Sequence, residues 1–234
     1  MSKNRLFTLA FLAALAGGGA AIAQDVRPDK LCALTFDDGP SADKTALVLA
    51  KLEKYKVPAT FFLVGQNIGP ATKDVMLRAQ KDGCEFANHS WSYDGLNSAD
   101  AKAIQDSIDR TSAAIKLYSG KEPAFFRAPN LATSPAMFSA IKLPFCEGVL
   151  GMDWAGCGTD ALARATNVLS GMRDGAIILL HDVQPDPHPT PDALDILIPE
   201  LQKRGYELVT VSELFRRKGI DPASRPGSQW KYVQ

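Results

Sequence analysis

Three observations predict an α/β fold. Seven short apolar runs recur along the chain, almost every one is followed by a stretch of helical periodicity, and polar residues stand at the carboxyl ends of five different runs. An open doubly wound sheet gathers its site at one switch point between two strands, whereas five separate strand ends converge only when the sheet curls round. The expected architecture is therefore a distorted (β/α)7 barrel, TIM-barrel-like, incompletely closed, in a single domain.

The elements follow in order. The first run, 31–37, precedes a helix capped by Ser41 whose Val48, Leu52 and Tyr55 share a face; the second, 59–64, precedes a helix over 71–81 that stops at Gly83. Run three is 84–89, and a polar loop over 90–98 leads into a long helix ending near Gly120. Run four closes on Phe125, Phe126 and Arg127, and Ser134-Pro135 reads as a cap with proline in the first helical position. Run five is 147–154, with a helix over 160–172; run six, 176–181, is continuously apolar, as in a strand buried on both faces. Thr190-Pro191 opens a helix ending at Gly205, run seven is 207–211, and a helix over 213–218 closes the domain. Residues 224–234 hold Pro, Gly and few apolar side chains, and are expected to be loosely held.

Residues 1–23 carry Lys3 and Arg5, then an uncharged run rich in Leu and Ala, then Ala21-Ile22-Ala23, the small-x-small pattern of a secretory cleavage site. The apolar part is about a dozen residues, below the roughly 20 a spanning helix needs. This reads as a signal peptide, followed by a domain over 24–220 and a tail over 221–234. Of 26 basic and 26 acidic residues the leader removes two basic ones, so the remainder is near neutrality, which argues against a nucleic-acid partner or a polybasic membrane patch. The chain is expected to be a secreted monomer, extracellular or periplasmic, without stable membrane association. Its four cysteines, in an oxidising compartment, predict at least one disulfide, Cys32 with Cys84 and Cys146 with Cys157 being the preferred pairing because Cys32 and Cys84 lie at similar depths in runs one and three.

The chemistry concentrates in Thr35-Phe36-Asp37-Asp38-Gly39-Pro40, where an apolar run delivers adjacent carboxylates into a turn. Neighbouring anions repel unless a positive charge sits beside them, and a divalent cation answers that need: one carboxylate holds it while the other takes a proton from water. Of only three histidines, His89 and His181 stand at strand ends facing this pair, while His188 lies in a Pro-rich loop and reads as surface.

Five segments in order resemble the signatures of the polysaccharide deacetylases, the carbohydrate esterases that share the nodulation-type deacetylase domain. Thr35 to Pro40 matches the first. His89-Ser90-Trp91-Ser92-Tyr93 resembles the second, His-Ser/Thr-x-x-His, with tyrosine in place of the second histidine. Phe126-Arg127-Ala128-Pro129-Asn130 resembles the third, with asparagine where the family has an aromatic; Asp153-Trp154 resembles the fourth, and Leu179-Leu180-His181 the fifth. The resemblance implies metal-dependent removal of acetyl groups from a carbohydrate, with one divalent ion (zinc, or cobalt or manganese) held by Asp38 and His89; at the third position either Tyr93 is the ligand, or Tyr93 lines the sugar cleft and Asp94 or solvent completes the shell. It makes Asp37 the base, held by Arg127; His181 the acid, held protonated by Asp153; and the Asn130 peptide N–H an oxyanion donor. Pro129, Asn130, Trp154 and Leu179 would line the substrate pocket. Residues 174–218 and Tyr93 look most like the bacterial members acting on O-acetyl groups of acetylxylan. N-deacetylation of chitooligosaccharides or peptidoglycan shares the same core, and a degenerate member that binds glycans without turning them over also fits the missing histidine.

Overall fold

The computed structural model describes residues 30–93, 95–155, 160–183 and 189–234. The expected signal peptide, Asp94, Cys157 and His188 lie outside the described residues. Among the described residues eight strands run in chain order: β1 Lys30–Asp37, β2 Thr60–Leu63, β3 Glu85–Asn88, β4 Phe145–Cys146, β5 Val149–Leu150, β6 Ala176–His181, β7 Tyr206–Val209 and β8 Gln229–Trp230. Seven α-helices accompany them among the same described residues: α1 Lys44–Tyr55, α2 Lys73–Lys81, α3 Ala101–Ser119, α4 Pro135–Ala140, α5 Ala161–Ser170, α6 Thr190–Lys203 and α7 Val211–Lys218.

β1 is the central stave. Along one side it pairs in parallel with β6, from Cys32 opposite Ala176 to Asp37 opposite His181. Its other side is shared: the first residues pair with β7, and Thr35 to Asp37 pair with β2. β2 continues to β3, and single parallel bridges carry the ring from Asn88 to Phe126 and on to Phe145. The chain from Phe145 then reaches β5, which pairs with β6 and brings the ring back to β1. The curled barrel expected from the sequence is therefore present, distorted because β7 wedges beside only the first half of β1.

Side-chain alternation sorts the staves. Leu31, Ala33, Phe62, Ala87 and Ile177 point into the barrel with Phe125 and Cys146, whereas Cys32, Leu34, Phe36, Phe61 and Ile178 pack outward against Val48, Leu52, Val168, Leu197 and other helix residues. The helix ends follow their caps. Asp100, Ser134, Asp160 and Thr210 accept from backbone N–H groups at the starts of α3, α4, α5 and α7. For α1 the cap is Asp43 rather than Ser41, whose hydroxyl donates to the Asp43 carboxylate at 2.5 Å.

Three further expectations are corrected. Run five is not one strand. Only Val149–Leu150 of it is strand, with the separate β4 just before it; Gly148 stands between the two, and a Cβ there would lie 2.6 Å from Leu179 Cβ and 3.0 Å from Leu179 N, so the absent side chain lets this segment approach β6 closely. The tail is not loose: β8 pairs with β4, Ile177 N–H donates to Lys231 C=O at 3.0 Å, and Trp230 and Val233 are buried in the interior cluster. The Cys32–Cys84 disulfide does not form, and Cys32, Cys84 and Cys146 are free thiols. β2 lies between β1 and β3. Two strand spacings, about 10 Å, exceed the roughly 7 Å a disulfide can span.

Candidate active site

The register of the staves assembles the site. Asp37 and His181 are direct neighbours across the β1–β6 ladder, so the two side chains that end these strands stand together at the carboxyl rim. Asn88 pairs with Leu63 and with Phe126, and the Arg127 N–H donates to the Asn88 carbonyl at 3.0 Å, which brings His89 beside Arg127.

Arg127 is fully buried inside the barrel, its guanidinium 3.9 Å over the Phe62 ring. Nη1 donates to Asp37 Oδ1 at 2.6 Å and to Thr35 Oγ1 at 2.8 Å, and Nη2 donates to the Glu147 carbonyl at 2.8 Å. This charge-assisted bond fixes the Asp37 carboxylate from below and leaves Oδ2 toward the cleft.

His89 is oriented by its neighbours. Nδ1 sits 2.8 Å from the Arg127 carbonyl, an acceptor, so Nδ1 carries the hydrogen. Nε2 then faces two carboxylates, 3.5 Å from Asp38 Oδ1 and 3.8 Å from Asp37 Oδ2. Acceptors arranged round one point need a proton or a cation between them. Burial works against the imidazolium, but the charges of Asp37 and Asp38 outweigh it and push the His89 pKa up. For Asp38, burial is offset by hydrogen bonding and charge from His89, and the pKa falls. Among the described residues no three His, Cys, Asp or Glu side chains group as a metal shell. The donor set for a cation is thus Asp38 and His89, with Tyr93 alongside. Burial together with the Asp38 charge beside it pushes the Tyr93 phenol's pKa up, keeping it neutral.

On the facing wall Asp153 is buried and holds His181 twice: Oδ1 lies 2.8 Å from Nδ1, and Oδ2 accepts from the His181 N–H at 2.7 Å. Thr190, at the start of α6, donates to the same Oδ2 at 2.7 Å. Burial disfavours the imidazolium, yet the bond and charge of Asp153 push the His181 pKa up to about 9. His181 Nε2 is thereby supplied with a proton at neutral pH.

Between these walls lies a cleft of about 680 Å³ lined by Asp37, Asp38, His89, Tyr93, Asn130, Leu131, Leu150, Trp154, Leu179 and His181. Trp154 stands edge-on to His181, ring centroids 5.6 Å apart. Pro129, expected in the lining, is buried, and Asn130 and Leu131 form that wall instead. Among the described residues six non-glycine ones have positive φ, and five of them (Asp38, Ser90, Asn130, Leu131 and Met152) are site residues or their neighbours. Such conformations cost about 1–3 kcal/mol each and gather where a site over-determines its backbone. Sequence reasoning missed Leu131, Leu150 and Thr190, which carry no signature of their own. It passed over Asp182, although a charged residue ending an apolar run was a visible signal.

A carboxylate fixed by arginine, a protonated imidazole held by a second carboxylate, and a donor pair for a cation, all at the carboxyl rim of one barrel, define a hydrolase that adds water across an acyl bond. Residues 24–143 match the family model for polysaccharide deacetylase. The chain is 46% identical over 193 residues to a bifunctional xylanase/deacetylase of Pseudobutyrivibrio xylanivorans, covering 82% of this chain but only 32% of that protein. It is 36% identical over 197 residues to a peptidoglycan-N-acetylglucosamine deacetylase of Bacillus cereus, covering 81% of this chain and 90% of the relative. Among solved structures, a family 4 acetyl xylan esterase from Clostridium thermocellum in complex with a cobalt ion superposes with a TM-score of 0.84 at 50% identity, covering 87% of this chain and 99% of that one. The chain belongs to the polysaccharide deacetylase family.

Proposed function

We propose that this deacetylase is exported and hydrolyses O-acetyl groups of acetylxylan with the help of one divalent metal ion, zinc or cobalt or manganese, held by Asp38 and His89 with Tyr93 at the third position. The observation that carries the reading is the paired geometry of Asp37 and His181, one clamped by Arg127 and the other by Asp153, across adjacent parallel strands. The fit to a cation rests on the His89 Nε2 lone pair facing both carboxylates. When bound, the ion supplies Lewis-acid polarisation of the acetyl carbonyl and lowers the pKa of water.

The chain's residues do the rest. Asp37, its Oδ1 held by Arg127, takes the proton of the attacking water through Oδ2. Oxygen adds to the acetyl carbon, and the charge that develops on the carbonyl oxygen is met by the Asn130 N–H. Leu150 and Leu179 offer an apolar wall to the methyl group. His181 then gives its proton to the sugar oxygen as the C–O bond breaks, releasing acetate and a free hydroxyl.

The preference for xylan is supported by the higher identity to the xylanase/deacetylase and the acetyl xylan esterase than to the peptidoglycan deacetylase. The test is acetate release by chelator-treated, metal-reconstituted protein on acetylated xylan, chitooligosaccharides and peptidoglycan. Fastest release from acetylated xylan is expected. Faster release from either N-acetylated glycan would overturn the substrate, and no release from any would leave a glycan-binding member without turnover.

A further inference from the structure

Asp182, the residue after the acid His181, takes no part in the steps above, yet it is fully buried against the turn that carries both site carboxylates. Strand alternation sends His181 toward the cleft and Asp182 away from it. The Asp182 N–H donates to the Asp37 carbonyl at 3.2 Å, extending the β1–β6 ladder past its last residue pair. Its Oδ2 accepts from the Thr45 hydroxyl, and Thr45 Oγ1 in turn accepts from the Ser41 N–H at 2.8 Å. The carboxylate lies flat on Gly39: a Cβ there would meet Oδ1 at 2.8 Å and Cγ at 2.9 Å, so no larger residue fits under it.

The turn 38–41 is thus gripped from two sides. From β2, Val64 N–H donates to the Gly39 carbonyl at 2.8 Å and Asn67 Nδ2 donates to the Asp38 carbonyl at 2.9 Å. From β6 the grip is Asp182 with Thr45. What is gripped has a reason to slip, because Asp38 has φ +81, a conformation that non-glycine residues enter only when held. Energetics argue that the grip is not there for stability. Among the described residues Asp182 Oδ1 has no hydrogen-bond partner. A buried carboxylate with one side-chain donor and an orphaned oxygen costs folding free energy that an uncharged neighbour would spare.

We propose that Asp182 is a positioning residue: through Thr45 and Gly39 it fixes the Asp37-Asp38 turn against β6, setting the base and the Asp38 donor in register with His181. The inference rests on the hydrolytic reading of this site. It predicts opposite signs for chemistry and stability, which a purely structural residue would not give.

The test compares Asp182→Asn, Thr45→Val and the double variant in the full chain. Acetate release from acetylated xylan gives kcat and KM, calorimetric titration gives Co²⁺ affinity, and thermal unfolding gives Tm. Asp182→Asn is expected to lower kcat about tenfold or more, the scale of a sub-ångström misplacement of reacting groups, with KM within about twofold, weaker Co²⁺ binding, and a Tm equal to or above that of the parent. Thr45→Val is expected to move kcat and Co²⁺ affinity in the same direction, and the double variant to be no worse than Asp182→Asn, since both act through one contact. Parental kcat and Co²⁺ affinity in Asp182→Asn would overturn the proposal. So would a Tm that falls in step with kcat, or additive losses in the double variant. If the parent releases no acetate, the hydrolytic reading fails by itself, and the Co²⁺ affinities of the same proteins still decide whether Asp182 sets Asp38.

Discussion

The imidazole of His89 has one nitrogen committed to the Arg127 carbonyl, and that bond dictates what the other can do. At His181 the committed nitrogen faces a carboxylate instead, and the same ring holds its proton more tightly. The pKa of His181 rises from 6.5 to about 9, so its bond to Asp153 contributes stability in full below pH 6.5 and loses it as pH climbs through about 9. Activity that needs the protonated ring is expected to hold to the same limit. Asp153→Asn should pull the alkaline limb of kcat/KM down toward 6.5, and a limb that stays near 9 would show that Asp153 does not set it. Tyr93 is one of two residues, with Asn130, where the chain departs from the family signatures. Its phenol stays neutral beside Asp38, a poorer donor than a neutral imidazole. Tyr93→His is expected to tighten zinc binding about tenfold or more and Tyr93→Phe to loosen it, both read by competition with a chelator; affinities unchanged in both would remove position 93 from the metal site.

At the scale of elements, what the sequence made legible depended on whether the signal was local. β6 was read to the residue, because Gly175 and the polar Asp182 bracket an unbroken apolar run. β1 was read to within one residue for the same reason, and the strand-end positions of Asp37, His89, Arg127 and His181 followed from run lengths alone. Run five failed because only Val149–Leu150 of it pairs, with β6, while the strand just before it, β4, pairs with β8, and neighbours are not written locally. The cysteine pairing failed likewise: depth along a strand was readable, but the interposed β2 was not. Gly148 is the hinge of this misreading. In Gly148→Val the new side chain would meet the Leu179 backbone, which cannot move without breaking the β1–β6 ladder, so β5 must retreat and carry Asp153 away from His181. A loss of about 1–3 kcal/mol is expected in urea unfolding, together with a lower alkaline limit of activity. An unchanged unfolding midpoint would mean that the close approach is not needed.

The whole molecule divides its labour between two ends. The carboxyl rim holds the strained turns, buried charges and open cleft; the opposite end is a dry floor built by α7 and the last residues. There Trp230 packs edge-on to Phe215 at 5.0 Å and donates Nε1–H to the Pro222 carbonyl at 2.9 Å. Val233 N–H donates to the Gly175 carbonyl at 2.8 Å, and Tyr232 lies under the Arg173 guanidinium at 3.6 Å. A segment poor in apolar residues is held because its few large ones fill the barrel where Leu31 and Ala33 face inward. The floor meets the site through backbone alone: the Trp230 carbonyl accepts from the Glu147 N–H at 2.8 Å and the Glu147 carbonyl accepts from Arg127 Nη2 at 2.8 Å, contacts that do not need the indole. Trp230→Ala empties a fully buried indole site and is expected to cost about 3–5 kcal/mol, lowering the urea midpoint sharply. Acetate release per folded molecule, measured well below the new midpoint, should match the parent. A midpoint that does not move would mean the floor can close without Trp230. A kcat that falls while the protein is fully folded would mean that the floor also shapes the rim.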